Sequence, residues 1–366
     1  MAIALAVVLV VHGLIHLLGV AKALGLADLP ALTLPIAPVM GGVWLMAALL
    51  CLMTAVALYA WPQWWWVVGA AAVVVSTVAI VPSWADARFG MIPNAIVLVA
   101  VIVGFATHGP FSLEAAYARE VAQGDARALA PAVVTEADLV PLPALVQGYL
   151  RGAGVVGRPR VTHLYVRMHG RFRNGADAPW MPFAAEQHNA FDEPSRFFYM
   201  TAMRGPIPMQ AFHRYAGASA SMRVKVAGLA TVIDVAGAEM TRAETVTLFN
   251  DMCLLAPATL ISPAITWEGE EGRTVRAAFT NAGHTIRAVL TFGETGDLAD
   301  FRSEDRQQAS PDGSTLTRMP WTTPVSDYGT FGPFRLAARG EARWHPAAGA
   351  FAYIEFELDE VAYNRP

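Results

Sequence analysis

The sequence predicts a chain of two parts. An N-terminal four-helix transmembrane bundle precedes a C-terminal antiparallel curved β-sheet or open β-barrel with an inserted helix, an α+β arrangement. Three observations carry this. Of the 56 Asp, Glu, Lys and Arg residues among 366, only Lys22, Asp28, Asp86 and Arg88 lie within the first 110. Four long apolar runs fill that stretch, and beyond Arg158 apolar residues recur at every second position. The overall 55% hydrophobic and 15% charged composition therefore averages over two solvents. The expected divisions are residues 1–110 for the spans, 111–157 for a helical linker and 158–366 for a β-rich ligand-binding domain.

The apolar runs are Ala2 to Lys22, Val39 to Ala60, Trp64 to Pro82 and Met91 to Thr107, each about 17 to 22 residues. A bilayer core about 30 Å thick needs roughly 20 helical residues, so each is long enough to span. The first run lacks a basic leader and is followed by three more, so it reads as a retained span and not a cleaved signal. Trp61 and Trp64 to Trp66 fit an aromatic belt, and Pro30, Pro35 and Pro38 break the chain before the second span. Lys22 and Arg88 fall on one membrane face. The positive-inside rule makes that face cytoplasmic and places the C-terminal domain outside, with Arg119 and Arg127 opposing it.

Within the spans, His12 and His16 lie one helical turn apart on one face. Counting rise per residue from Lys22 and Arg88 sets Asn94 at the depth of His16 and Ser76 near His12, with Asp86 close to the surface. His12, His16, Asp86 and Asn94 are thus candidate catalytic or ligand-positioning groups, against the alternative of hydrogen bonding between helices. No histidine in the other spans faces them, so a bis-histidine haem is not expected. No third metal ligand is expected either.

Leu113, Ala116, Tyr117, Glu120 and Val121 are spaced for a short amphipathic helix, Ser112 to Arg127, lying along the membrane or serving as a linker. A second short helix, Ala144 to Arg151, ends at Gly152 and Gly154. Beyond Arg158, Leu164, Val166 and Met168 alternate with polar residues, as do Ile286, Ala288 and Leu290 and then Ile354, Phe356 and Leu358. About eleven strands can be counted, too many for one flat sheet, so the sheet must curve strongly. One segment, Thr241 to Ile261, has helical spacing instead. Thr241 and Glu244 form an apparent capping box there, and its apolar side is expected to plug the sheet as a lid over a pocket or as a core helix.

Neither part carries the basic excess that nucleic-acid binding requires; the net charge is −4. Cys51 and Cys253 alone give neither a disulfide framework nor a metal knuckle. There is no Walker loop, GxGxxG, GxSxG or HExxH. The acidic cluster Glu268, Glu270 and Glu271 and the run Glu304, Asp305 and Arg306 read as solvated surface. Trp180, Phe249, Met252, Trp267, Trp321 and Trp344 are the candidate lining of an apolar ligand cavity.

Several stretches together resemble a bacterial membrane-anchored family of unknown function. They are His12-Gly13-Leu14-Ile15-His16-Leu17-Leu18-Gly19, Trp84 to Gly90, the strand with Trp180 and Gln187, and Leu255-Ala256-Pro257-Ala258. Trp267, Arg306, Trp321, Tyr328, Trp344 and Tyr353 complete the set. The architecture of the C-terminal part is similar to the open barrel of lipoprotein-carrier and lipid-binding proteins of the LolA and LppX type. With the four spans and the orientation above, that likeness gives the expectation of an extracytoplasmic cavity on the bacterial inner membrane holding a lipid or another long apolar molecule, with no cofactor and with membrane lipids as partners. Two other readings stay open. One is a membrane enzyme acting on an isoprenoid or quinone-like substrate through His12 and His16; the other is a scaffold whose β domain binds a protein.

Overall fold

The structure is a computed structural model that describes residues 2–124, 131–310 and 312–365. The four apolar runs are helical: α1 (Ala2–Ala23), α2 (Pro38–Ala60), α3 (Trp65–Ile80) and, after the single turn α4 (Trp84–Ala87), α5 (Met91–His108). Three helical stretches, Ala2–Ala23, Pro38–Ala60 and Trp65–Gly124, are long and apolar enough to cross a membrane. Their packing follows membrane logic. Large side chains such as Val7, Leu14, Val74 and Val99 point outward and are exposed, while Ala47, Ala48, Ala72 and Ala79 are buried between helices. Small residues let the backbones approach closely. At Gly19 an added Cβ would stand 2.3 Å from the Trp44 ring, so α1 meets α2 there only through a glycine.

Helix α6 (Leu113–Gly124) contains the division between two compact units. The first runs to Ala115 and takes in Ala227–Leu229; the second comprises Ala116–Val226 and the chain from Ala230 onward. From Tyr117 on, α6 packs on strands: Tyr117 stacks on Tyr199 with ring centroids 5.6 Å apart, and Glu120 pairs with Arg214 at 2.7 Å. The expected end of this helix at Arg127 lies outside the described residues. Two short helices follow, α7 (Glu136–Leu139), capped by Thr135 and Asp138, and α8 (Ala144–Gly152).

The second unit is one antiparallel sheet, curved and unclosed. Strands β1 (His163–Phe172), β2 (Met181–Ala190), β3 (Ser195–Arg204), β4 (Ile207–Ala216), β5 (Ser219–Val226) and β6 (Ala230–Ala236) pair in succession outward to one edge. Helix α9 (Ala238–Leu254) then carries the chain to the opposite edge, β7 (Ile265–Glu271). From there β8 (Thr274–Asn281), β9 (His284–Phe292) and β10 (Leu298–Ser303) step back inward. After the separate ribbon of β11 (Gln307–Ala309) and β12 (Leu316–Arg318), β13 (Trp321–Thr322) joins β10 to β15 (Phe334–Trp344), with β14 (Val325–Phe331) also paired to β15. Last, β16 (Phe351–Tyr363) pairs with both β15 and β1 and completes the middle of the sheet.

Of the eleven alternating segments nine lie within strands, while Phe183 to Phe191 and Ala299 to Asp305 run one and two residues past the ends of β2 and β10; the irregular β7 and β14 are among those missed. In β7 the register shifts between Trp267 and Gly269, which interrupts the period of two; Glu268, Glu270 and Glu271 lie on this strand and are exposed, as a solvated surface requires. In β14, Asp327 has a φ of 57° and drops out of the ladder.

The inserted helix differs from expectation at its start. Gly237, with a φ of 106°, turns the chain out of β6, and α9 begins at Ala238. Thr241 Oγ1 donates to Gly237 O at 3.0 Å, so it bonds back from within the first turns to the residue that precedes the helix and is not itself the N-cap of a capping box. Glu244 is free to point elsewhere. Almost every side chain from Met240 to Leu254 is buried, as in a helix enclosed on all sides. On one side Phe249 stacks on Phe279 at 5.2 Å and meets Phe301 edge-on at 5.6 Å; the other side carries Glu244, Thr247, Asn250 and Asp251.

Asp300 on β10 has Oδ1 buried without a partner among the described residues, and burial raises its carboxyl from 3.8 to about 6. The folded state thus holds this proton to higher pH than the unfolded chain. Its contribution to stability is full below about pH 4 and is lost as pH rises through about 6. Asp300→Asn keeps an acceptor for the Phe301 and Thr323 amides. Thermal scans of the full chain in detergent are expected to show the variant melting above wild type at pH 8, with the gap closing at pH 4.

Candidate ligand-binding cavity and its buried charge cluster

Between the concave face of the sheet and the polar side of α9 lies a cavity of about 340 Å³. Its walls are apolar and soft: Met168, Met200, Met209, Met222 and Met240 contribute, with Phe198 and Phe356 among the rings. Methionine is unbranched and polarisable, so such a wall repacks around chains of different shape. The cavity sits at the lower end of the roughly 300–1,000 Å³ typical of ligand sites.

One end of the cavity is charged. Arg196 of β3, only 6% exposed, donates through Nε to Asp251 Oδ2 at 2.7 Å, through Nη1 to Glu244 Oε2 at 3.1 Å and through Nη2 to Gln187 Oε1 at 3.0 Å. Gln187 and Asn189 of β2 also donate to Asp251 Oδ2, at 2.8 and 3.1 Å. Glu244 Oε1 lies 3.1 Å from His213 Nδ1 and 3.5 Å from Arg306 Nη2. Burial alone would raise the Glu244 carboxyl. The hydrogen bond and charge of His213, with the charges of Arg196 and Arg306, outweigh it, and Glu244 is held well below the usual carboxylate range. For Asp251 burial prevails over Arg196 and Asn189, with Glu244 adding to it, and the carboxyl is raised. The two acids thus share Arg196 unequally, and Glu244 is the firmer anion.

Residues 132–356 match a family described as a family of unknown function, DUF6544. The chain belongs to this family. No curated protein matches it in sequence. Among solved structures, this DUF6544 chain is similar to a LolA superfamily protein from Nitrosomonas europaea, with a TM-score of 0.36 and 8% identity over 61% of this chain and 93% of that one. It is also similar to a domain described as an outer membrane lipoprotein-sorting protein from Vibrio parahaemolyticus, with a TM-score of 0.32 and 8% identity over 55% and 85%. A DUF1329 family protein from Desulfovibrio piger matches with a TM-score of 0.27 and 12% identity over 56% and 86%.

Of the six residues read from the DUF6544 sequence as cavity lining, Trp321 and Trp344 line it. Phe249 and Met252 lie on the opposite side of α9, in the packed core. Trp267 packs against that core from β7. Trp180 precedes β2 and is clasped by Arg171 and Arg173, whose guanidinium carbons stand 4.6 and 4.5 Å from its ring. Helical spacing marked which α9 residues were apolar. In a helix enclosed on all sides, apolar residues went both ways: Phe249 and Met252 into the core, Met240 and Leu254 to the cavity beside Thr247, Asn250 and Asp251.

The charge cluster was missed. Arg306 and Asp305, read as solvated, are 8% and 4% exposed. Asp305 accepts the Arg287 amide at 2.8 Å and pairs with Arg242 and Arg318 at 2.8 and 2.7 Å. A usable signal existed in β2, where Gln187 and Asn189 occupy the same inward register as Phe183 and Ala185. Polar residues in an apolar register point to a buried partner.

In the helical unit, His12, His16 and Asn94 converge, joined by Ser76. His12 Nε2 lies 2.9 Å from Asn94 Oδ1 and 3.0 Å from Ser76 Oγ, and His16 Nε2 lies 2.8 Å from Ser76 Oγ. Ser76 therefore bridges both rings, and Asn94 meets His12 rather than His16. Asp86 stands apart, accepting from Thr33 Oγ1 and the Leu34 amide at 2.7 and 2.8 Å.

Proposed function

We propose that this protein is anchored in the bacterial inner membrane by its apolar helices and holds a lipid or other long apolar molecule in the extracytoplasmic cavity of its β unit. One observation carries the reading: a 340 Å³ cavity with a methionine-rich wall. Each methylene transferred into it contributes about 0.8 kcal/mol, so a chain of ten supplies roughly 8 kcal/mol before the cost of ordering it. Native mass spectrometry of the detergent-purified full chain is expected to show one retained amphiphile per chain. Met209→Trp fills the cavity and is expected to abolish that retention while leaving lipid around the helices. Equal retention by both proteins rejects the reading.

A second reading makes the helical unit an enzyme for an isoprenoid or quinone-like substrate. The observation favouring it is that His12 Nδ1 and His16 Nδ1 are buried with no partner among the described residues. Under the first reading, His12→Ala with His16→Ala costs about 1 kcal/mol in stability, the scale of hydrogen bonds between membrane helices, and leaves cavity retention unchanged. Loss of cellular function in a double variant that folds and retains ligand favours the second.

A further inference from the structure

The cavity's charged end holds a donor that the protein does not use. Arg306 lines the cavity and is 8% exposed, yet its Nε–H is buried with no acceptor among the described residues. Its ionic partner, Glu244 Oε1, stands at 3.5 Å and is shared with His213. The guanidinium is held in place by Trp321, 5.6 Å from its ring centre. Trp321 Nε1 in turn donates to the Tyr353 hydroxyl at 3.1 Å, and among the described residues that hydroxyl has no acceptor for its own proton. Two open donors, on Arg306 and Tyr353, thus meet around one tryptophan at the end of an apolar cavity. Leaving a buried donor unmade is costly, and a guanidinium N–H matches an anionic oxygen best.

We infer that the cavity takes an amphiphile with an acidic oxygen head, a carboxylate or a phosphate monoester, which accepts from Arg306 Nε and the Tyr353 hydroxyl while its tail lies along the methionine wall. The inference rests on the lipid-binding reading and adds the chemistry of the head.

The test uses the full chain immobilised in detergent, with radiolabelled dodecanoate as probe and Met209→Trp as the background for micelle uptake. Unlabelled dodecanoate, dodecyl phosphate, dodecanol and methyl dodecanoate compete. The acids are expected to compete at least tenfold better than the alcohol and the ester, the scale of one charge-assisted hydrogen bond. The better of the two acids identifies the head. Labelled dodecanol is expected to bind Arg306→Gln as it binds wild type, which shows the fold intact, while dodecanoate weakens about tenfold; Arg306→Lys restores part of the loss. Equal competition by all four ligands in wild type overturns the head assignment and leaves the lipid reading standing. No saturable binding of either labelled ligand above the Met209→Trp background overturns both.

Discussion

Replacing Arg196 by methionine is expected to cost the β unit about 3–5 kcal/mol, because it strands two buried carboxylates without the cation they share. Arg196 holds Asp251 and Glu244 together from β3, and both carboxylates are buried. Removing it leaves Asp251 with only the amides of Gln187 and Asn189, and leaves Glu244 with His213 and the more distant Arg306. Arg196→Lys is expected to fall between, since an ammonium cannot reach both acids and Gln187 in one plane. Neutralising the stranded acid as well, in Arg196→Met with Asp251→Asn, is expected to recover part of the loss. Denaturant unfolding of the full chain, followed by protection from protease, measures all three. A single Arg196→Met variant within 0.5 kcal/mol of wild type, about the scatter of a surface substitution, would show the cluster to be energetically idle.

A larger effect is expected at Gly170, where β1 crosses β16. A Cβ on this residue would stand 1.9 Å from the Glu355 carbonyl oxygen and 2.9 Å from Phe356 Cα. These are backbone atoms of the paired strand and cannot swing aside. Gly170→Val is expected to cost about 4 kcal/mol or more, in the exceptional range for a point substitution, and to show as loss of the purified, protease-resistant β unit. Gly148 on α8 is the control, since an added Cβ there meets nothing within 4 Å. Gly148→Ala is expected to stabilise by up to about 1 kcal/mol.

What could be read in the sequence follows from which physical signals are local. Charge density separated the helical unit from the β unit, because solvent acts on each residue independently. Alternation located β9, because one pleated face is buried along its length, and β1 and β16, where apolar residues alternate although burial of one face is only partial. It failed at β7 and β14, where Gly269 and Asp327 interrupt the pleat. The cavity lining was only partly legible. Trp321 and Trp344 face it, but an apolar residue on α9 reaches either the core or the cavity depending on a rotation that spacing alone does not fix. The charge cluster was least legible, since Arg196, Glu244 and Arg306 come from β3, α9 and the segment after β10. Glu244 imitated a capping residue and Arg306 a surface one, and each local reading was reasonable until the fold brought them together.

The strand order carries a consequence for how the β unit is made. The sheet's middle is the β1–β16 pair, so its first and last strands meet there, while its two edges, β6 and β7, are joined through α9. A ribosome delivers β1 early and β16 about 190 residues later. Until then β1 waits with one flank unpaired, and neither half of the sheet has its inner neighbour. Such long-range closure is slow and leaves an open strand edge exposed to other chains. Shortening the protein from the β16 side would split the sheet through its centre, where the same loss from most meanders would only trim a border.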